Sequence, residues 1–384
     1  MSDVLPSTAP QPRPAHPPLL ISAEVYRQTG YGSNHPLAIP RVGAVLDLCE
    51  TLGWFAETPY TESYVASIAD LTGFHNDDYV AALIAAEDAG KVSAEQRQKY
   101  NIGTMENPLF QGLFERAATC VGGSIQAGRL AMDGRWVYHP SGGTHHGMAG
   151  RASGFCYFND VVFAILSLMD HGAGRVLYVD LDAHHGDGVQ AAFEADPRVL
   201  TLSIHEENRW PHTGTLDDRG QGSARNIPVP AKFCDNELAC IMAEAVAPLA
   251  TEFAPDAVVV CCGADGLTGD PLSTMRLSNG ALWSAVEAAC AHANAAVIVG
   301  GGGYNPWTVA RCWAGLWGKI AGFDLPATLP SSAQKVLSRL ECDLIDEEDV
   351  EAAWLTTLVD ERSQGPVRDE VKQAVETVLS TPDQ

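Results

Sequence analysis

Three carboxylates and two imidazoles follow one apolar run within eight residues. The run Val176–Val179 leads into Asp180-Leu-Asp-Ala-His-His-Gly-Asp187. Because side chains alternate along a strand, Asp180 and Asp182 share one face, and His184 continues the same spacing past the strand end. An aspartate and a histidine two residues apart can hold one metal ion, and oxygen plus imidazole ligation suits Zn(II) or Fe(II). The sequence therefore predicts a metal centre here, against the simpler interpretation of a helix cap or a structural carboxylate.

A second apolar run, Ala257–Cys262, ends in Gly-Ala-Asp265. Ligands of open parallel sheets bind at the carboxyl ends of the strands, so Asp265 can lie beside the first cluster. A catalytic zinc site takes three protein ligands and leaves one position open. By itself Asp265 reads as a turn residue, but beside Asp182 and His184 we expect it to be the third ligand.

Two glycine-rich segments carry further polar groups. One contains the adjacent pair His145-His146, and a neutral imidazole that a carboxylate orients can act as a general base near pH 7. Asp180 and Asp187 are the spare acids that could orient these rings. The other segment has four glycines before Tyr304, whose phenol could stabilise a developing oxyanion. Its alternatives are a plain tight turn or a phosphate cradle, but it lacks both the Gly-x-Gly-x-x-Gly pattern and a Walker lysine.

The apolar runs alternate with helical patterns along the chain. Runs typical of strands lie at 19–21, 176–181, 199–204, 257–262 and 296–299, and helical patterns include 159–171, 236–252 and 280–293. This order predicts an α/β fold, a single domain with a central, mainly parallel sheet and helices on both faces. Residues 1–18 contain six prolines and are predicted to be a disordered tail. The domain then spans 19–384, and its acidic segment 326–384 is expected to form helices packed on the rest.

Composition limits the partners and the compartment. The 384 residues carry 24 Lys+Arg against 48 Asp+Glu, a net charge of −24. This balance argues against direct nucleic-acid binding and is compatible with cationic substrates such as lysine-bearing peptides or polyamines. The ten cysteines include no Cys-x-x-Cys pair, which favours free thiols in a reducing compartment. No apolar stretch approaches a membrane span, so we expect a soluble, cytoplasmic protein without a membrane partner.

Six segments together resemble the histone deacetylase superfamily, in particular its bacterial acetoin-utilisation-type and class I-like members. They occur in the family's order across about residues 19–320. The matching segments are His35–Arg41, Pro140–His146, Ser153–Asp160, Tyr178–Asp187, Gly263–Asp265 with Gly269–Pro271, and Gly300–Asn305. One such segment would be weak evidence, but six in order identify the family.

The resemblance implies an arginase/deacetylase-type fold and assigns roles to the polar residues. It implies one zinc ion per chain, with Fe(II) as the alternative, held by Asp182, His184 and Asp265. His146 matches the general base with Asp187 as its partner, and His145 matches the second histidine with Asp180. Tyr304 matches the tyrosine that polarises the scissile carbonyl. The resemblance also implies a structural K⁺ or Na⁺ ion, at a site made of Asp180, Asp182, His184, Ser203 and Ile204.

The resemblance further implies an acyl-lysine tunnel. Its matching residues are Gly154, whose carbonyl accepts the amide N–H, the walls Phe155, Trp210 and Leu272, the rim residue Glu106 and the internal-channel residue Arg41. There are two departures at the entrance. His212 stands where the family usually has glycine, and Glu106 stands where eukaryotic members have an aspartate that grips the substrate backbone.

These features predict a metal-dependent amidohydrolase that removes acetyl or short acyl groups from lysine ε-amines. Its substrate would be an acylated lysine in a peptide or protein, or an acylated small amine. Three alternatives remain: an acetylpolyamine amidohydrolase, a ureohydrolase with two metal ions, and a non-catalytic binder of acyl-lysine.

Overall fold

Aliphatic and β-branched residues form one sheet in the part of the chain that the computed structural model describes, residues 14–28, 30–32, 35–56 and 60–380. Its hydrogen-bonded order is β2-β1-β3-β8-β7-β4-β5-β6. Every strand pair is parallel, which confirms the predicted α/β class. The strands are β1 (Leu19–Ser22), β2 (Thr61–Glu62), β3 (Trp136–His139), β4 (Val176–Asp180), β5 (Val199–Glu206), β6 (Ala224–Val229), β7 (Ala257–Cys261) and β8 (Ala295–Val299).

Helices cover both faces of this sheet, as expected for parallel strands joined by crossovers. They are α1 (Arg41–Thr51), α2 (Ile68–Leu71), α3 (Asp77–Ala89), α4 (Ala94–Tyr100), α5 (Leu113–Ala131), α6 (Asp160–Asp170), α7 (Asp187–Phe193), α8 (Asp235–Ile241), α9 (Ala247–Phe253), α10 (Asn279–Cys290), α11 (Pro306–Ile320), α12 (Ser331–Leu337), α13 (Ala352–Thr356) and α14 (Asp369–Leu379). Among the described residues, no helix has both the length and the apolar character that crossing a membrane requires.

The core consists of two main layers, one on each side of the sheet. Val179 and Val260 point into a layer shared with α1, α8 to α12 and the C-terminal helices. Tyr178 and Val259 point the other way, into a layer shared with α5, α6 and α7. Strands β4, β7 and β8 are buried along their whole length, so their runs of apolar residues show no alternation with polar ones. A polar residue at the end of such a strand therefore departs from the apolar pattern and is a candidate for a functional role.

The predicted strands all occur, and the described residues form three further strands that were not predicted. Strand β2 has only two residues, β3 includes His139, and β6 includes Asn226 and Pro228, so none of them reads as an apolar run. The helix predicted over 236–252 is interrupted by a π-helical turn, Met242–Val246. Pro248 lies just after that turn and has no backbone N–H to donate, which is consistent with the irregular hydrogen bonding there.

The described residues include most of the acidic C-terminal segment but only the last part of the predicted N-terminal tail. Residues 1–13 of the predicted tail lie outside the described part. Residues 14–18 form neither helix nor strand, and the His16 N–H donates to the Gly134 carbonyl at 3.2 Å. The acidic C-terminal segment contains α12, α13, α14 and a 3₁₀ turn at Glu347–Asp349. Trp354 and Val375 are buried members of the main core layer, so this segment packs on the domain.

Candidate active site

The strand order brings the predicted metal ligands together. Asp182 and His184 follow β4, Asp265 follows β7, and these two strands are paired side by side. The His184 Nδ1 atom lies 2.8 Å from Asp265 Oδ2 and 3.3 Å from Asp182 Oδ1. All three side chains are buried, and their ligand atoms lie within 4.8 Å of one another. This is the three-residue cluster that the sequence predicted.

The electrostatics of this cluster suit a bound cation. Burial and the neighbouring Asp182 raise the pKa of Asp265 to about 6. Burial opposes the ionisation of Asp182, but His145 and His184 hold its pKa well below the usual value. Burial would lower the pKa of His184, yet Asp182 and Asp265 raise it to about 10. Two buried carboxylates so close together are costly unless positive charge offsets them, so this donor set fits a divalent cation such as zinc.

Glycines allow the backbone to approach these carboxylates closely. The Gly302 N–H donates to Asp182 Oδ2 at 2.6 Å, and the Ala183 N–H donates to Asp265 Oδ1 at 2.9 Å. A Cβ atom at Gly302 would lie 2.1 Å from Asp265 Oδ2, and one at Gly263 would lie 2.1 Å from Asp182 Oδ2. Only glycine fits at either position. The tetraglycine segment, Gly300–Gly303, therefore packs directly against the cluster.

The adjacent histidines each bind a carboxylate through Nδ1. His145 lies 2.7 Å from Asp180 Oδ2, and His146 lies 2.7 Å from Asp187 Oδ1. Burial would lower the pKa of His145, but Asp180 and Asp182 raise it to about 9. Burial lowers the pKa of His146, and the neighbouring His145 lowers it further. With Nδ1–H held by Asp187, a neutral His146 leaves Nε2 free to accept a proton.

The loop that carries these histidines is fixed by the start of α6. Asp160 accepts hydrogen bonds from the backbone N–H groups of Gly143 and Thr144, and Asn159 donates to the carbonyls of His145 and Gly147. Both residues belong to the matched segment Ser153–Asp160, but neither was predicted to have a role. Their signal was two polar residues directly before an apolar helix, a position typical of helix caps.

The backbone of Tyr304 and of the four glycines before it is held by two side chains. Its N–H donates to Asp270 Oδ2 at 2.7 Å, and Arg41 donates to the Gly301 carbonyl at 2.7 Å. Burial raises the pKa of the Tyr304 phenol well above its usual value, so the hydroxyl remains a donor. The Tyr304 and His184 ring centroids are 6.4 Å apart. The other oxygen of Asp270 accepts from the Leu272 N–H at 2.9 Å, and no local sequence pattern indicates these contacts of Asp270.

A cavity of about 500 Å³ leads from the surface to these residues. Its lining includes the predicted tunnel residues Gly154, Phe155, Trp210 and Leu272 together with Glu106, His146, His184 and Tyr304. Gly154 lies between His146 and Trp210, because a Cβ atom there would meet both rings at 2.5 Å. Arg41 lines an adjoining cavity of about 100 Å³, which shares His146, Gly154, Phe155 and Tyr304 with the tunnel.

The two departures from the family pattern have structural counterparts. His212 has a φ of 62°, a left-handed conformation that glycine adopts more easily. Glu106 points inward, where its carboxylate accepts hydrogen bonds from the Gly154 N–H and the Asn101 side chain. The structure therefore places Glu106 at the tunnel, with both carboxylate oxygens already bonded within the protein.

The residues of the predicted monovalent-cation site lie on the adjacent strands β4 and β5 and in the loop after β4. Asp180 is paired with Ser203 in the sheet, and Ile204 follows on the same strand. The Ser203 hydroxyl is 2.9 Å from His205 Nδ1. The fold thus brings these residues to one place, next to the metal-ligand cluster.

Comparison with known proteins identifies the class of protein that this fold and site define. The family model for the histone deacetylase domain matches residues 35–320. The chain therefore belongs to the histone deacetylase family, and it is a hydrolase of the deacetylase type.

Individual relatives agree with this membership. The acetoin utilization protein AcuC of Bacillus subtilis is 36% identical over 326 residues, covering 81% of this chain and 84% of that protein. Histone deacetylase 1 of Homo sapiens is 34% identical over 310 residues, covering 78% of this chain but 64% of that protein. The crystal structure of an HDAC homologue from Aquifex aeolicus matches with a TM-score of 0.90 and 34% identity, over 95% of this chain and 100% of that one. A structure of an HDAC homologue in complex with SAHA matches equally well.

Proposed function

We propose that this protein is a zinc-dependent lysine deacetylase, with one metal ion per chain held by Asp182, His184 and Asp265. The observation that carries the proposal is the arrangement around one tunnel end. The three-ligand cluster, the two carboxylate-bound histidines and the Tyr304 phenol all meet there. The overall reaction is hydrolysis of an acyl-lysine amide to the free amine and a carboxylate.

A metal ion in this cluster would supply Lewis-acid polarisation of the acyl oxygen and a lower pKa for a bound water. The rest of the chemistry belongs to the chain's own groups. His146 accepts the proton of the attacking water at Nε2, because Asp187 holds its Nδ1–H at 2.7 Å. His146 then returns that proton to the leaving amine. The Tyr304 hydroxyl donates a hydrogen bond to the acyl oxygen as negative charge develops there.

The tunnel determines which groups reach these residues. The rings of Phe155 and Trp210 form apolar walls that admit a neutral acylated alkylamine and exclude bulk water. The Gly154 carbonyl at the tunnel would accept the amide N–H of the substrate. These features favour acetyl or another short acyl group on a lysine side chain, presented by a peptide or a protein.

An acetylpolyamine remains the second candidate substrate, because it has the same neutral acylated end. A ureohydrolase would need further carboxylates for a second metal ion, and the buried acids beside the cluster are Asp180 and Asp270. Asp180 is already bonded to His145 Nδ1 and accepts from the Tyr178 hydroxyl. Both Asp270 oxygens already accept backbone N–H groups, from Leu272 and Tyr304. This bonding argues against the two-metal reaction. We further propose a structural K⁺ or Na⁺ ion beside Asp180 and Ser203, and a cytoplasmic location.

One experiment tests the proposal: turnover of an acetyl-lysine peptide, acetylputrescine and urea by metal-defined protein. We expect the peptide to be hydrolysed fastest, and we expect one zinc ion per chain by metal analysis. Removal of the metal by a chelator abolishes activity, and added zinc restores it. A protein that hydrolyses none of the three substrates when loaded with zinc contradicts the proposal.

The variant His146→Ala separates chemistry from binding in the same assay. We expect it to lose at least about 10²-fold in kcat, because it lacks the general base. Its affinity for a hydroxamate chelator should persist, since the metal ligands are unchanged. Wild-type turnover by this variant would rule out the general-base role.

A further inference from the structure

One wall of the tunnel is built on a strained turn. Ser153 and Cys156 exchange backbone hydrogen bonds of 3.1 and 2.8 Å, and Gly154 and Phe155 form the tip between them. Their φ angles are 53° and 67°, the signs of a type I′ turn, which favours glycine or asparagine at both central positions. Phe155 is a bulky residue in a left-handed conformation, so this turn needs support from outside itself.

Glu106 gives that support through its side chain. The Gly154 N–H has no partner within the turn, and it donates to Glu106 Oε1. The other carboxylate oxygen accepts from Asn101 Nδ2 at 3.0 Å, and the same amide group donates to the Ala152 carbonyl at 3.2 Å. Asn101 therefore joins Glu106 to the segment that enters the turn.

Glu106 also supports Phe155 through its backbone. Its carbonyl accepts from His35 Nε2 at 3.1 Å, while His35 Nδ1 accepts from the Leu37 N–H at 3.0 Å. The His35 ring packs edge-on against the Phe155 ring, with centroids 4.6 Å apart. One residue thus fixes the tip of the turn and the ring that lies against it.

The side chain of Glu106 is less exposed than that of its neighbour Met105. Met105 is 96% exposed, whereas Glu106 is half-buried with both carboxylate oxygens bonded to the protein. These two bonds fix the orientation of the carboxylate toward Gly154 and Asn101. The contacts of Glu106 are therefore those of a supporting residue.

We propose that Glu106 is a positioning residue that holds the Gly154–Phe155 turn, and thereby the tunnel wall beside His146, without gripping the substrate backbone. This inference rests on the proposed deacylation, because it concerns the tunnel used by that reaction. It predicts that loss of the Glu106 contact harms every substrate that enters the tunnel, including those with no peptide backbone.

Two substitutions separate the positioning role from a grip on the substrate. Glu106→Asp keeps the charge but is one methylene shorter, so it loses its reach to Gly154. Glu106→Gln keeps the length and an oxygen acceptor for the Gly154 N–H, and it loses only the bond to Asn101. Positioning predicts that the Asp variant is the more impaired of the two. A grip on backbone N–H groups predicts the opposite order, since it depends on the negative charge.

The experiment compares an acetyl-lysine peptide with N-acetylbutylamine, which fills the tunnel but has no peptide backbone. For Glu106→Asp we expect kcat/KM to fall roughly tenfold to hundredfold on both substrates alike. We expect Glu106→Gln to fall several-fold less. Glu207→Asp is the matched control, because Glu207 is an exposed carboxylate next in sequence to the tunnel-lining residue Asn208, and it should keep wild-type rates. A loss confined to the peptide, or a more impaired Gln variant, overturns the proposal.

A binding measurement covers the case in which turnover is absent or the Asp variant is unstable. Asn101→Ala frees one carboxylate oxygen of Glu106, and positioning predicts weaker binding of a long-chain hydroxamate with unchanged binding of acetohydroxamate. Unchanged binding of both contradicts the positioning role. If the wild type binds zinc and both hydroxamates but hydrolyses no acyl amine, the proposed function fails while this comparison still decides the role of Glu106.

Discussion

Three buried aspartates near the tunnel end have different partners, and the partners indicate different roles. Asp182 and Asp265 face His184, whereas both oxygens of Asp270 bind backbone N–H groups, one of them from Tyr304. The same residue type therefore belongs to the candidate metal cluster in two cases and orients the backbone in the third. Asp270 also fixes the backbone N–H of Tyr304, directly after the four glycines.

The role of Tyr304 can be tested by removing its hydroxyl. Tyr304→Phe keeps the ring and its packing, but it loses the donor to the acyl oxygen. We expect kcat to fall about 10²- to 10³-fold with a smaller change in KM, because the hydrogen bond strengthens as charge develops. Steady-state kinetics on the zinc-loaded protein measure this effect, and an unchanged kcat would exclude the role.

Asp270 should act on the same step through the backbone. Asp270→Asn replaces one acceptor oxygen by an NH₂ group that meets a backbone N–H, so one of its two bonds is lost. We expect kcat to fall roughly tenfold or more while the zinc content stays at one per chain. Combining this variant with Tyr304→Phe should add little, since both act through the phenol. A fully additive loss would show that Asp270 acts elsewhere.

The sequence located polar residues that the fold brings together, but it did not locate the residues that support them. Asp182, His184, Asp265, His145 and His146 stand out because polar groups there follow buried strands or glycine-rich turns. Asp270, Asn159 and Asp160 were passed over because their partners lie elsewhere in the chain. Asp270, for example, binds a residue 34 positions later, which no local pattern reveals.

At the scale of elements, the start of α6 connects the histidine loop to a buried imidazole. The Asn159 N–H donates to His75 Nε2 at 3.1 Å, and His75 Nδ1 donates to the Met148 carbonyl at 3.1 Å. This pattern requires the neutral ring with its proton on Nδ1. A second proton on Nε2 would face the Asn159 N–H and break the contact.

This contact predicts how stability depends on pH. Burial lowers the pKa of His75 to about 4, whereas an unfolded chain has a histidine pKa near 6.5. Between these values the unfolded state binds more protons, so His75 makes the protein less stable as the pH falls from about 6.5 to 4. The full effect is about 3 kcal/mol.

Urea denaturation at pH 7.5, 6.0 and 5.0 can isolate this effect. We expect His75→Gln to be less stable than the wild type at pH 7.5 but to lose less stability on acidification. His212→Asn is the control, because His212 is exposed and asparagine tolerates its left-handed backbone. Equal pH slopes for the wild type and His75→Gln would contradict the assignment.

The predictability of the elements depended on their burial. Strands β4 and β7 are covered on both faces, so continuous apolar runs identify them. Strands β2, β3 and β6 are shorter or contain polar residues, and only their neighbours in the sheet define them. The helical pattern over 236–252 could not reveal the π-helical turn at Met242–Val246, since hydrophobic spacing does not report backbone hydrogen bonds.

At the scale of the whole molecule, the C-terminal segment is attached by buried polar contacts. Arg311 is fully buried in α11, and it binds Asp360 at 2.7 Å and the Thr357 carbonyl at 2.7 Å. Asn279 and Asp360 exchange two further bonds through their side chains and backbones. Asp360 therefore has buried structural partners within a segment that is acidic in composition.

Removing this carboxylate should destabilise the fold. In Asp360→Ala the Arg311 guanidinium is left buried without its counter-charge, so we expect the free energy of unfolding to fall by about 3 kcal/mol. Chemical denaturation measures the loss. Glu361→Ala is the matched control, since Glu361 is exposed, and it should change stability by less than about 0.5 kcal/mol. Equal stability of the two variants would mean that the buried pair contributes nothing.

The position of β3 in the sheet has a consequence for synthesis of the chain. This strand ends at His139 and pairs with β8, which begins at Ala295. The ribosome must therefore synthesise all the residues between these two strands before β3 has its partner β8. Until then both β3 and β7 present open, apolar edges in the nascent chain, which are sites of mispairing and aggregation. Such long-range pairing also makes folding slow. The segment before β4, which carries Glu106, His145 and His146, can therefore complete its sheet contact with the strands that precede Asp182 and Asp265 only after β8 has been made.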